Sequence, residues 1–295
     1  MVGVCDSNLN KKYLAKRYKC KFFEKIEDIL NEGLDAVSIC TPTSSHMQVA
    51  LDVLKETNHI LIEKPMAINV EEAKKILNAR KSGILAIGHL ERFNSAITKL
   101  RETVDFSDIY STVSLRFGPY PPRIKDVGVL LDLACHEIDL LNYLTKTQPK
   151  VLYAYVSNRG CNGFEDYAYL SLKYGNLHSH IETSWLPTYK LRLLTVYGND
   201  RFYSLDYAQQ KLKCYKASPQ VRIESGNWQD ILWLSRNVNE DISVTQMEPL
   251  EIELKCFIES IRKGEIINPL CSGEEGLEVL RILDNALLLS SKNLD

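Results

Sequence analysis

The chain has 295 residues, 45% of them hydrophobic and 25% charged, with a net charge of −2. That is enough apolar material for a sizeable core, and the length fits two domains. The charges are interspersed, with no long basic run, so nucleic acid is not an expected partner. No charge-free apolar stretch approaches the ~18–20 residues that cross a bilayer, so no membrane is expected. The start lacks the basic and apolar regions of a signal peptide, and a cytoplasmic location is expected. Eight cysteines are scattered without C-x-x-C pairs. They read as reduced thiols, not as a zinc site or disulfide frame, and no metal is expected.

In chain order, residues 2–5 predict a short strand closed by Asp6. A polar helix follows over 8–18, and another over 26–32 is closed by Gly33. The strand over 36–40 ends in Thr41-Pro42. The next helix takes Ser44 or Ser45 as N-cap and runs through Met47 to Glu56. Free N–H groups and hydroxyls at this turn either cradle a phosphate or ribose or simply cap the helix. Residues 58–62 (NHILI) suit a strand buried on both faces, and they lead into Glu63-Lys64-Pro65. Pro65 stops the ladder and pushes Lys64 out of the helical region, leaving an ammonium at the strand's carboxyl end. A helix over 70–81 and a strand over 84–88 complete this third of the chain. Strands separated by helices imply a doubly wound parallel sheet whose carboxyl ends share one edge, the edge at which ligands bind. Asp6, Thr41, Lys64 and His89 all fall at those ends.

From about Tyr110 the pattern changes to alternation. Strands are predicted over 111–117, 151–158, 167–173, 177–185 and 191–197, with turns at Tyr174-Gly175-Asn176 and Tyr197-Gly198-Asn199-Asp200. Consecutive strands imply a large, mostly antiparallel open sheet in an α+β domain. Residues 127–144 (VGVLLDLACHEIDLLNYL) carry apolar residues at helical spacing. On that helix Asp132, His136 and Asp139 can share one face, with carboxylates keeping the imidazole pKa near or above neutrality. Such a His can move protons, or it is a salt-bridged His on a half-buried helix. Cys135 points about 100° away from His136, which argues against a Cys–His nucleophile. Amphipathic helices close the chain.

The strings C-T-P-T-S-S-H, E-K-P-M-A, G-H-L-E-R-F-N at residues 88–94 and D-L-A-C-H-E-I-D, in this order, resemble the glucose–fructose oxidoreductase / inositol dehydrogenase / MocA family. The resemblance spans nearly the whole chain, including Glu248-Pro249-Leu250 and Ser272-Gly273-Glu274-Glu275-Gly276, each leading a helix. It implies a dinucleotide-binding domain over residues 1–106 and a substrate-binding and oligomerisation domain over 107–295. The implied activity is an NAD(P)-dependent dehydrogenase acting on CH–OH groups. Lys64 would contact the reacting hydroxyl, His136 would accept or relay its proton, and Asp132 would position the substrate or the imidazole. Glu63 would meet the nicotinamide ribose, and Thr41, Pro42 and His46 would line the cofactor. Arg92 and Asn94 face cofactor or substrate, or else cap the next helix. E-R-F-N is most similar to members acting on nucleotide-activated amino sugars, so a UDP-N-acetylglucosamine-like substrate oxidised at a ring hydroxyl is expected. The alternatives are a free polyol or hexose dehydrogenase and a non-catalytic sensor or scaffold. A homo-oligomer formed through the antiparallel sheet is implied too. Asp6 can accept both ribose hydroxyls and repel a 2′-phosphate, which favours NAD over NADP.

The beginning departs from the family pattern. A dinucleotide fold opens with a strand, G-x-G-x-x-G and a helix, whereas this chain starts at what reads as the second strand and contains no G-x-G. The first strand and glycine loop are therefore expected to lie in about thirty upstream residues of the natural protein, or to have been lost.

Overall fold

The computed structural model describes residues 1–160, 163–216 and 239–292. Two parallel segments and one large sheet organise the chain. Strands β1 (Gly3–Cys5) and β2 (Lys21–Phe23) pair in parallel, with α1 (Lys12–Tyr18) between them. Strands β3 (Val37–Ile39), β4 (Ile60–Glu63) and β5 (Leu85–Gly88) form a second parallel set. Helices α2 (Ile26–Leu30), α3 (Thr43–Glu56) and α4 (Val70–Ala79) are the connections. This is the doubly wound pattern that the alternation predicts.

Local chemistry explains the pieces. Ile60 and Ile62 face the core shared with Ala50 and Val53 of α3 and Ala73 and Ile76 of α4, while Leu61 faces the other way. Both faces are thus apolar, as a buried parallel strand requires. Asn69 caps α4 by accepting a hydrogen bond from the Glu72 N–H at 2.9 Å. The expected serine cap on α3 does not form. The helix starts at Thr43 behind Pro42, and no side chain of that turn supplies the cap.

The second sheet has eight strands in the order β13-β12-β11-β10-β6-β9-β8-β7. In chain order these are β6 (Ile109–Phe117), β7 (Lys150–Ser157), β8 (Tyr167–Tyr174), β9 (Leu177–Ser184), β10 (Leu191–Gly198), β11 (Arg201–Asp206), β12 (Lys211–Lys216) and β13 (Asn239–Ile242). Every pair is antiparallel except β6 with β9. Helix α5 (Ser95–Thr103) leads into β6, and α6 (Cys135–Thr145) packs on the sheet. The central strand inverts the usual polarity. Thr112, Ser114 and Arg116 are buried, whereas Val113, Leu115 and Phe117 on the opposite face are only half-buried.

The chain then returns to the first sheet, so residues 107–295 do not all lie on the second. Helix α7 (Pro249–Lys263) sets Phe257 against Leu61 and Ala86. Strand β14 (Cys271–Ser272) joins β5 antiparallel. Helix α8 (Gly273–Lys292) lies close over β5 because Gly276 has no side chain. A Cβ there would come within 2.7 Å of Ile87 Cγ1. Among the described residues no helix is long and apolar enough to cross a membrane.

Candidate active site

The carboxyl ends of β3, β4 and β5 present Thr41, Lys64 and His89 on one edge. His46 holds two of these ends together. It is buried, with Nδ1 2.9 Å from the Pro65 carbonyl and Nε2 2.9 Å from the Thr41 carbonyl. Both ring nitrogens therefore face the main chain, and His46 sits beneath the edge rather than on its open side. Thr41 and Pro42 are exposed above it. Asp6 closes β1, half-buried, and its Oδ1 accepts from the Asn8 N–H at 2.8 Å.

Lys64 reaches across to the second sheet's helix. Its ammonium donates to both the main-chain carbonyl and Oδ1 of Asp132, each at 2.7 Å. Asp132 is on a π-helical turn, Leu130–Ala134, that precedes α6. The regular α-helix expected over 127–144 is thus interrupted where the catalytic candidates lie. Wide turns of this kind insert a residue and re-aim the side chains that follow.

The re-aiming changes the expected trio. Asp132 and His136 stay near Lys64, but Asp139 turns to a different set of partners. Its carboxylate takes a bidentate guanidinium from Arg92 (Nη2 to Oδ1 2.7 Å, Nε to Oδ2 2.9 Å), with His89 Nδ1 3.6 Å from Oδ2. The carboxylate pair expected to hold His136 near neutrality is therefore absent. Burial pushes the His136 pKa well below its ordinary value, and the Lys64, Arg116 and Arg192 cations push it further down. Its Nδ1 is buried without a partner among the described residues, which leaves Nε2 as the nitrogen on the open side. A neutral imidazole beside an ammonium is the right pair for taking a hydroxyl proton. Cys135 is no rival nucleophile, because burial drives its thiol up to about 12.

Arg92 and Asn94 are both buried and spend their side chains on contacts within the protein. Arg92 is buried between Asp139, Glu275 and the Tyr143 ring. Asn94 caps α5, accepting from the Ala96 N–H at 3.1 Å and donating to the Tyr207 carbonyl at 3.0 Å. Of the two readings for this pair, the structure supports the structural one. His89, Asp139 and Cys271 form a donor cluster of metal-binding type. The Arg92 guanidinium already supplies that cluster's cation.

Local sequence patterns do not disclose two further features of the site. Arg116 is buried and donates to Glu137 (Nε to Oε1, 2.5 Å) and Glu91 (Nη2 to Oε1, 2.8 Å), and the Tyr207 hydroxyl donates to Glu137 Oε2 at 3.0 Å. Burial pushes the Glu91 carboxyl up, but the Arg116 guanidinium outweighs it and holds the group below its usual range. A charged residue in the middle of an alternating strand was the available signal for Arg116. Asp126 is the other. Its Oδ2 accepts from the Ser44 N–H at 2.9 Å, so the N-terminus of α3 already holds a carboxylate from residues between β6 and α6.

A dinucleotide fits this edge by its donor and acceptor set. Ribose hydroxyls need acceptors, and Glu63 provides a carboxylate at the end of β4; Asp6 ends β1, which pairs with β2 in a separate two-stranded sheet and not, as expected, in the sheet of Thr41, Lys64 and His89. Gly88 keeps the approach beside Glu63 narrow, since a Cβ there would meet Glu63 Oε2 at 3.3 Å.

Comparison with known proteins agrees with this geometry. Residues 1–89 match the model of an oxidoreductase family with an NAD-binding Rossmann fold, and residues 107–203 match the GFO/IDH/MocA C-terminal domain. The chain is 28% identical over 292 residues to UDP-N-acetylglucosamine 3-dehydrogenase of Acidithiobacillus ferrooxidans, covering 95% of this chain and 86% of that protein. A solved structure of that enzyme superposes with a TM-score of 0.82 at 26% identity, covering 99% of this chain and 90% of the other. The NADP-dependent scyllo-inositol 2-dehydrogenase IolW of Bacillus subtilis is 24% identical over 291 residues, covering 89% and 79%. With these matches, and with a Lys64–Asp132 pair near a neutral imidazole at a Rossmann edge, the chain belongs to the GFO/IDH/MocA family and is an NAD(P)-dependent oxidoreductase.

Proposed function

We propose that the protein oxidises a ring hydroxyl of a UDP-linked sugar resembling N-acetylglucosamine, at carbon 3, with NAD as acceptor. The observation that carries the chemistry is the Lys64 ammonium fastened to Asp132 beside a half-buried, neutral His136. The sugar nucleotide rests on similarity along the whole chain to the Acidithiobacillus enzyme.

In this reading Asp6 and Glu63 hold the ribose hydroxyls, and Thr41 and Pro42 line the edge between them. When bound, the oxidised nicotinamide supplies the hydride acceptor. Lys64 donates a hydrogen bond to the reacting hydroxyl and stabilises the oxygen as its charge grows. His136 Nε2 takes the hydroxyl proton as the hydride leaves carbon. Asp132 fixes the ammonium through two contacts, so Lys64 need not be ordered during the reaction. His46 acts from below, holding the Thr41 and Pro65 carbonyls in register.

NAD is proposed over NADP because Asp6 repels a 2′-phosphate and no arginine directly follows it. A second copy of the chain is proposed to cover the sheet face that carries Val113, Leu115 and Phe117. A dehydrogenase of a free polyol is the second reading, favoured by the match to the inositol enzyme. A non-catalytic scaffold has no use for Lys64, Asp132 and His136 assembled in one opening.

The test is a panel of UDP-sugars, free hexoses and inositols, followed by NADH absorbance. UDP-N-acetylglucosamine should give the highest kcat/KM. A clear preference for an inositol or free hexose would replace the first reading with the second.

A further inference from the structure

The buried charges around Glu91 leave one cation under-used. On β10, Arg192 lies opposite Arg116 of β6 and shares the helix-facing side of the sheet with the buried Leu194 and Val196. Arg116 spends its guanidinium on two carboxylates at 2.5 and 2.8 Å. Among the described carboxylates Arg192 approaches only Glu91 Oε1, at 3.6 Å, an oxygen that Arg116 already occupies. That is beyond hydrogen-bond reach. Among the described residues the Arg192 guanidinium has no hydrogen-bonded partner, yet its side chain is only 41% exposed.

Its position is set by the charges it feels. Glu91, which Arg192 approaches, is held by the same Arg116 that fastens Glu137 beside His136, so the guanidinium lies close to the catalytic pair, and Asp132 and His136 both interact electrostatically with it. Burial, and then Arg116, make its charged form harder to keep, while Glu91, Glu137 and Asp132 help to hold it. A partly desolvated guanidinium with free, planar donors is suited to a bidentate oxyanion.

We propose that Arg192 reads the diphosphate of the substrate, donating to a phosphate oxygen while the sugar ring reaches Lys64 and His136. This deepens the sugar-nucleotide reading and rests on it. The chemistry is consistent with distance along the substrate. In a sugar nucleotide the first phosphate is joined through one oxygen to a carbon of the ring being oxidised, so an anion-reading group must lie beside the catalytic pair. Lys64 cannot serve both ends, because Asp132 holds it. Arg192 is then a specificity residue. It selects sugars carrying the anion and takes no part in the hydride or proton transfer.

The experiment is calorimetric titration of UDP into the NAD-saturated protein and its Arg192→Leu and Arg192→Lys variants, with a thermal melt of each. Losing a charge-assisted, bidentate contact should weaken UDP binding about 30-fold in Arg192→Leu. Arg192→Lys should recover part of that, since it keeps the charge and loses the fork. In turnover, Arg192→Leu should lose about 30-fold more kcat/KM on UDP-N-acetylglucosamine than on free N-acetylglucosamine. Equal UDP binding by the wild type and either variant overturns the proposal, as does a wild type that does not bind UDP. If Arg192→Leu fails to fold, Arg192→Lys alone decides the matter by the same titration. UDP binding that depends on Arg192, combined with turnover of a different UDP-sugar, leaves Arg192 in place and overturns only the choice of sugar.

Discussion

Glu253 offers the sharpest test of the packing. It lies on α7, 1% exposed, and its Oε1 has no partner among the described residues. Burial, then the negative charges of Glu63 and Asp139, push its carboxyl from 4.5 up to about 8. The native protein therefore keeps this proton until about pH 8, whereas the unfolded chain releases it near 4.5. Between those values the unfolded state binds fewer protons, so raising the pH favours unfolding. The stability associated with this group is fully present below pH 4.5, declines through the window and is gone above about pH 8. At about 1.4 kcal/mol for each pH unit of the window, the loss amounts to about 5 kcal/mol. Glu253→Gln keeps the shape and removes the titration. In urea denaturation the variant should match the wild type within about 1 kcal/mol at pH 4.5 and exceed it by about 3–5 kcal/mol at pH 9. A variant no more stable than the wild type at pH 9, or one equally more stable at both pH values, would show that no buried proton is held there.

Lys64→Ala should cut turnover by about 10²–10⁴-fold while leaving a cooperative melt, and near-normal turnover would remove Lys64 from the mechanism. For His136 the burial and surrounding cations predict an acid limb of the oxidation rate well below pH 6.5, because protonation of the base is postponed. His136→Asn should flatten that limb, and a limb at or above pH 6.5 that vanishes in the variant would contradict the cationic surroundings described above. Arg116→Met strips two buried carboxylates of their cation and should destabilise the protein by about 3–5 kcal/mol in denaturant titration. A change below about 1 kcal/mol would mean that Glu91 and Glu137 are satisfied without it.

The parallel edge was legible because its strands are short, apolar on both faces and punctuated. Ile60-Leu61-Ile62 can only be buried, and Pro65 fixes where burial stops, so Lys64 had to emerge at the carboxyl end. Five strands of the eight-stranded sheet are legible through their alternation, whereas β11, β12 and β13 and the choice of inside face are not. Thr112, Ser114 and Arg116 are buried together on one face, where the Arg116 guanidinium pairs with Glu137 of α6. Local periodicity contains neither fact. The partners of Asp139 were out of reach for the same reason. Spacing on a regular helix puts it with His136, whereas a π turn and an arginine 47 residues away in sequence give it to Arg92. Long-range pairing and helix irregularity are settled by packing between elements, and one element's sequence reports only its own faces. The cap of α3 shows this too. A serine was available nearby, yet Asp126 from a distant segment reached the Ser44 N–H.

E-R-F-N, the string that suggested a nucleotide-activated amino sugar, takes a different meaning from its surroundings. All four of its side chains are buried, and each ties a different element. Glu91 holds Arg116 of the second sheet. Arg92 clamps Asp139 of α6 and Glu275 of α8. Phe93 packs with Phe257 of α7, and Asn94 starts α5 while holding the Tyr207 carbonyl. The segment is the joint between the parallel edge and the large sheet. It indirectly sets where His136 stands relative to Lys64, because Glu137, the neighbour of His136, is fastened to the same Arg116 that Glu91 holds. In this chain the string acts as a structural joint, with its side chains spent on contacts between elements. The identity of the substrate has to be written in groups near the catalytic pair, and Arg192, loosely held at 3.6 Å from Glu91, is a cation there with donors free to read it.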